Sequence, residues 1–133
     1  MPVRFVRYVV AERDASSGYR RGFIRSAWYL DEEDRIFSEA ESARLKAIFA
    51  WFNKNLPPPA KMSRTRNANH KKKRALSWFK DTAHLHLQYA REVVALMEAH
   101  DVVVEMISTD RPGYVVYEDE FQIVAEPFAD TAT

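Results

Sequence analysis

The chain has 133 residues, 47% of them hydrophobic and 13% aromatic, which suits one domain with a core of its own. It contains no cysteine, which excludes disulfides, thiolate catalysis and thiolate-ligated metals. The net charge of +1 hides a division: residues 1–80 carry 18 Lys/Arg against 8 Asp/Glu, and residues 81–133 carry 2 against 11.

Residues 3–10, VRFVRYVV, alternate and are rich in Val, Phe and Tyr, the pattern of a strand. DASSG at 14–18 is turn material. Over 20–31 the spacing of Phe23, Ile24, Ala27 and Trp28 favours a helix, with a strand as the alternative. After the acidic 31–34, Ser38 stands three residues before Glu41, a capping box in which each side chain satisfies the other's free backbone N–H. Leu45, Ile48, Phe49, Phe52 and Leu56 continue at helical spacing until Pro57, Pro58 and Pro59 end the helix.

A long polar connection occupies 57–74, and Ala75 to Phe79 read as a short strand. Asp81 or Thr82 can cap the next helix, whose stripe is Ala83, Leu87, Ala90, Val94 and Met97. It stops near His100, and Val102 to Ile107 form a strand, parallel to its predecessor if both lie in one sheet. Pro112 and Gly113 suit the centre of a type II turn leading to a strand at Tyr114–Tyr117. Glu118–Glu120 make another tight connection, and Phe121–Glu126 form the last strand. The expected architecture is a single α+β domain over 1–133, with a mixed sheet of about five strands and three helices in the order βααβαβββ, and a flexible basic loop at 57–74.

Arg4, Arg7 and Arg13 break the apolar run at the start, so no signal peptide is legible, and no stretch approaches the roughly 20 apolar residues that cross a bilayer. The expectation is a soluble cytoplasmic protein without membrane association.

Five stretches stand in order along the chain: SGYRRG at 17–22, WFNKNL at 51–56, SWFK at 77–80, RPGYVVYED at 111–119 and QIVAEPF at 122–128. Together they give a pattern, from about Val3 to Phe128, that resembles a family of small uncharacterised bacterial proteins. The resemblance implies a free-standing bacterial protein and carries no activity, cofactor or catalytic residue with it.

The most unusual stretch is Lys61 to Arg74, with seven cations (Lys61, Arg64, Arg66, Lys71, Lys72, Lys73 and Arg74) and no acid. Such a loop can neutralise phosphates and release counterions, so nucleic acid or another polyanion is one partner class and an acidic protein another. The bland alternative is a solvated loop. Trp78 and Phe79 just beyond it would stack on bases if exposed, although a strand near a core usually turns such residues inward.

His84 and His86, two apart on a helix, point about 200° from each other and cannot chelate one ion as an i, i+4 pair would. No metal or cofactor is expected. Glu118, Asp119 and Glu120 can serve as a general acid or base, or as a polar turn. Gly18 and Gly22 with Arg20 and Arg21 suggest an anion-binding helix start, or plain turn geometry. Tyr8, Tyr19, Tyr29, Tyr114, Tyr117, Trp28 and Trp51 can line a pocket, fill the core or centre a dimer interface.

Three function classes follow: a binding module contacting a polyanion through 61–74, a homodimeric interaction module without nucleic-acid binding, and a small enzyme with a His/carboxylate site. The enzyme is the weakest, because no nucleophile–base spacing and no dinucleotide fingerprint are present.

Overall fold

The structure, a computed structural model, describes residues 3–56 and 75–133. The elements in chain order are β1 (Phe5–Arg13), β2 (Arg20–Gly22), α1 (Phe23–Glu32), α2 (Glu39–Asn55), β3 (Leu76–Lys80), α3 (His84–Glu98), β4 (Glu105–Thr109), β5 (Tyr114–Glu118) and β6 (Gln122–Glu126). The α+β class and the three helices agree with the sequence reading. Residues 20–31 satisfy both of its alternatives, since a three-residue strand runs directly into the helix.

All six strands belong to one sheet, and every pairing in it is antiparallel. The expected mixed sheet is corrected on this point. β3 and β4 do run in the same direction on either side of α3, but β1 lies between them and hydrogen-bonds to both. A strand has only two edges, so β4 takes one edge of β1 over Phe5–Val9. The other edge is shared, by β3 at Phe5 and Val6 and by β2 from Val9 to Arg13. Beyond β3 come β6 and then β5.

The turn expected at Pro112–Gly113 does not join paired strands, because β4 pairs with β1 and β5 with β6. Laid flat, the outer strands of the row β4-β1-β3-β6-β5 would stand about 19 Å apart. The link from Thr109 to Tyr114 spans at most about 18 Å, and it must also climb along the strands. The sheet therefore coils, bringing its two edges towards each other. Gly113 leads into β5 tight against the end of its neighbour β6: a Cβ there would lie 2.0 Å from the Glu126 carbonyl oxygen, and its φ is 137°.

One face of the sheet carries the helices. Val6, Tyr8 and Val10 pack there against Phe23, Ala27, Leu45, Ile48, Phe52, Leu87, Ala90, Val93 and Met97. The other face has a smaller cluster in which Val9, Ile107 and Ile123 surround Trp78. Because β1 is covered on both sides, its residues Val6 to Val10 are all buried, Arg7 included.

Local chemistry fixes the element ends. The capping box at Ser38 and Glu41 is complete, at 3.1 Å and 2.8 Å. The helix α3 is not capped by Asp81 or Thr82 as expected: its N-cap is Ala83, and Asp81 instead accepts from the Arg4 backbone N–H. The β1–β2 turn closes on Asp14, whose carboxylate takes the Ser16 backbone N–H at 2.8 Å. Three ion pairs among the described residues join the basic part of the chain to the acidic part: Arg20–Glu105, Arg44–Glu92 and Lys80–Glu118.

Candidate functional site

The register between β1 and β3 stops after Val6↔Phe79, while β3 continues alongside β6 as far as Leu76↔Ala125. The strands part there like the arms of a V. The next residues on each arm, Arg7 and Tyr8 on β1 and Trp78 and Ser77 on β3, line a cavity of about 670 Å³. α1 contributes Ile24, Arg25, Trp28 and Tyr29, and α2 adds Phe49 and Asn53. The size falls within the range of small-molecule sites, as does a lining of aromatic side chains with few polar groups.

The polar groups are unevenly satisfied. Arg25 is ion-paired with Asp14 at 3.7 Å and lies over the Tyr29 ring. Gln122 donates from Nε2 to Asp119 at 3.0 Å. Arg7 is different: only 7% exposed, it holds its guanidinium 5.3 Å from the Trp78 ring centroid. Its Nη1 finds no hydrogen-bond partner among the described residues, and neither does the Trp78 Nε1. Burial, and secondarily the positive charge of Arg20, lowers the Arg7 pKa to about 10, so the group is still charged at neutral pH. A buried charge with an unmade hydrogen bond is costly, and such groups mark places where a partner belongs.

The residues singled out from sequence fall as follows. Lys61, Arg64, Arg66, Lys71, Lys72, Lys73 and Arg74 lie outside the described residues, as does His70. Trp78 and Phe79 are buried, at 1% and 7% exposure, so neither offers a face for stacking on bases from outside. Arg20 and Arg21 do not gather at the start of α1: Arg20 is drawn to Glu105 and Arg21 to Glu12. Asp119 closes the β5–β6 hairpin, accepting from Tyr117 Oη and from the backbone N–H groups of Phe121 and Gln122 at 2.8–3.0 Å. The acidic triplet is thus a turn, with Glu118 paired to Lys80.

The histidines separate sharply. His84 is exposed, whereas His86 is buried at 3% exposure and is no surface or boundary residue. Its ring stacks on Phe121 at 4.3 Å, and its Nε2 donates to the Asn55 carbonyl oxygen at 2.8 Å. His100 Nε2 lies 2.9 Å from Glu41 Oε1, a His/carboxylate pair, but neither residue lines this cavity. No cluster of three metal-ligating side chains occurs among the described residues. No helix among them is long and apolar enough to cross a membrane.

Of the aromatic set, Tyr8, Trp28 and Tyr29 line the cavity. Trp51 packs instead on His86 and Tyr89. Arg7 was missed as a site residue, since in sequence it served only to break an apolar run. The available signal was a cation inside a strand whose neighbours on both sides are apolar. Comparisons with protein-family models, curated proteins and solved structures find no match.

Proposed function

We propose that this protein is a binding module for a small organic ligand, held in the cleft between β1 and β3. The observation that carries the reading is the parting of the two strands over an aromatic cavity of about 670 Å³. Among the described residues the lining offers the hydroxyls of Ser77, Tyr8 and Tyr29 but no histidine, aspartate or glutamate to activate them, which favours binding over catalysis. The reading places the protein in the cytoplasm of a bacterium, in line with its lack of cysteine and its family resemblance.

A fragment screen followed by ¹H–¹⁵N correlation spectra tests it. Neutral and charged aromatic fragments are expected to shift the amides of Gly22, Ile24, Phe49, Asn53 and Ser77. Fragments that bind only elsewhere, or not at all, would sink the reading.

Polyanion contact through 61–74 is the second reading, favoured by seven cations and no acid in that stretch. Leu56 and Ser77, which precede and follow residues 57–74 in the sequence, both line the cleft. Binding to labelled single-stranded RNA is expected to weaken steeply with salt and to be lost when Lys71, Lys72 and Lys73 are changed to Glu. Anisotropy unchanged even at low salt would remove it. Dimerisation is the reading that then gains, with Met106 and Tyr114 exposed on the outer strands.

A further inference from the structure

We infer that the ligand of the cleft is a short extended peptide, one residue of which pairs with the backbone of Ser77 as a strand would and sends a bulky, uncharged apolar side chain into the cavity. The inference rests on the cleft being a ligand site and names the chemistry that would fill it.

Successive residues of a strand turn their backbone N–H and C=O to opposite edges, and two bonds fix which way each residue of β3 faces. The Asp81 N–H donates to the Arg4 carbonyl at 2.9 Å, on the β1 side, and the Lys80 N–H donates to the Phe121 carbonyl at 2.8 Å, on the β6 side. Phe79 and Ser77 therefore face β1, while Trp78 and Leu76 face β6. Pairing with β1 ends at Val6↔Phe79. Had the register continued, Tyr8 would stand opposite Ser77, but the strands have parted there. The N–H and C=O of Ser77 thus point into the cleft with no β1 residue bonded to them, and the residue is exposed, so a ligand can reach it. A donor and an acceptor spaced along one strand residue match the N–H and C=O of one peptide residue.

The same register says where the side chain of that peptide residue goes. Directly opposed residues of an antiparallel pair share a face of the sheet, and side chains alternate along a strand. Phe79 packs on the helix side, so Ser77 and any residue paired with it face that side too. There Tyr8, Phe23, Ile24, Phe49 and Phe79 line the cavity, and the small side chain of Ser77 leaves room in front of them. The walls call for an uncharged occupant. Of the lining cations, Arg25 is already engaged by Asp14 and Tyr29, and Arg7 alternates to the opposite face, where it lies over Trp78. The outer edges of β4 and β5 also lack a strand partner among the described residues, but neither strand lines this cavity.

Three matched probes test the assignment on the unaltered protein. N-acetylphenylalanine N-methylamide can make both bonds to Ser77 and fill the cavity. Its ester analogue, with oxygen in place of the α-N–H, keeps the shape and loses the donor to the Ser77 carbonyl. N-acetylglycine N-methylamide keeps both bonds and lacks the side chain. Affinities come from amide-shift titrations, which also report where each probe sits, and hydrogen exchange is read at the Ser77 N–H. The phenylalanine amide is expected to bind about tenfold more tightly than the ester, which leaves that carbonyl unbonded. It should exceed the glycine compound by at least about tenfold, since only it buries a ring. At saturation the Ser77 N–H is expected to exchange at least about tenfold more slowly. Equal binding of amide and ester in the cleft, or an unprotected Ser77 N–H, would overturn the strand pairing and leave the cleft as a ligand site. A glycine compound as tight as the phenylalanine one would overturn the side chain's place in the cavity. Shifts confined to Met106 or Val115 would move peptide binding to the outer strands and overturn the assignment. If none of the probes moves any amide, the assignment fails, and it is then the fragment screen that decides the cleft itself.

Discussion

Gly113 and Arg7 are the two positions where a single side chain decides most. A methyl group at 113 would collide with the backbone of Glu126 and Pro127, which cannot swing aside as a flexible side chain can. Gly113→Ala is therefore expected to cost about 3 kcal/mol or more, combining left-handed strain with the overlap. A denaturant midpoint within error of the parent would show that the link is laxer than its geometry. In sequence, this glycine had the right neighbour for a type II turn, and its demand for positive φ was legible. What it packs against was not, because the contact joins residue 113 to a strand edge formed later in the chain. Arg7 was hidden for a related reason. Strand alternation marks inward and outward faces only when one face is wet, and β1 is buried on both.

Three elements are pinned at their ends by carboxylates and a fourth carboxylate ties α3 to α2, and this makes these contacts sensitive to acid. Hydrogen bonds from the Ser16 side chain and backbone hold Asp14 down to about 2. The Ser38 backbone N–H and then His100 lower Glu41, and Arg44 lowers Glu92. At Asp119 burial alone would raise the pKa, but the bonds from Gln122, Phe121 and Tyr117 outweigh it and leave it lowered. In each case the folded pKa lies below the unfolded one, so the unfolded chain binds more protons as the pH drops. The stabilisation is present above the ordinary carboxylate range near 4 and is lost as pH falls towards about 2. Thermal melts are expected to hold level from pH 7 to 5 and to fall steadily below 4. A melting temperature flat down to pH 3 would refute the assignment. Elements were also where sequence reading worked best. The capping box at Ser38 and the stripe of α3 depend on residues three or four apart, and such spacings survive any tertiary context. The start of α3 did not follow its local signal, since Asp81 was claimed by the backbone of Arg4, 77 residues away.

At the scale of the molecule, the class and helix count were legible and the strand partners were not. Pairing order is set by which edges remain free after the helices pack, and no local pattern records that. The cleft is a product of the same step. It exists because β3 serves β6 along its whole length and β1 for only two residues, a competition invisible in either strand's own sequence.

The central place of β1 also has a consequence for synthesis. Apart from its short hairpin with β2, the first of the six strands finds its neighbours at residues 76–80 and 105–109, so a nascent chain carries one edge of Phe5–Val9 unpaired until residue 109 has been translated. Local helices and the β1–β2 hairpin can form on the ribosome, whereas the complete sheet can assemble only after release of the later strands, with a correspondingly long exposure of an apolar strand. A chain stopped before Glu105 is expected to show helical circular dichroism, no cooperative melt and a tendency to aggregate. A sharp two-state transition in that truncated chain would mean that β4 is an accessory and that the sheet is organised around β3.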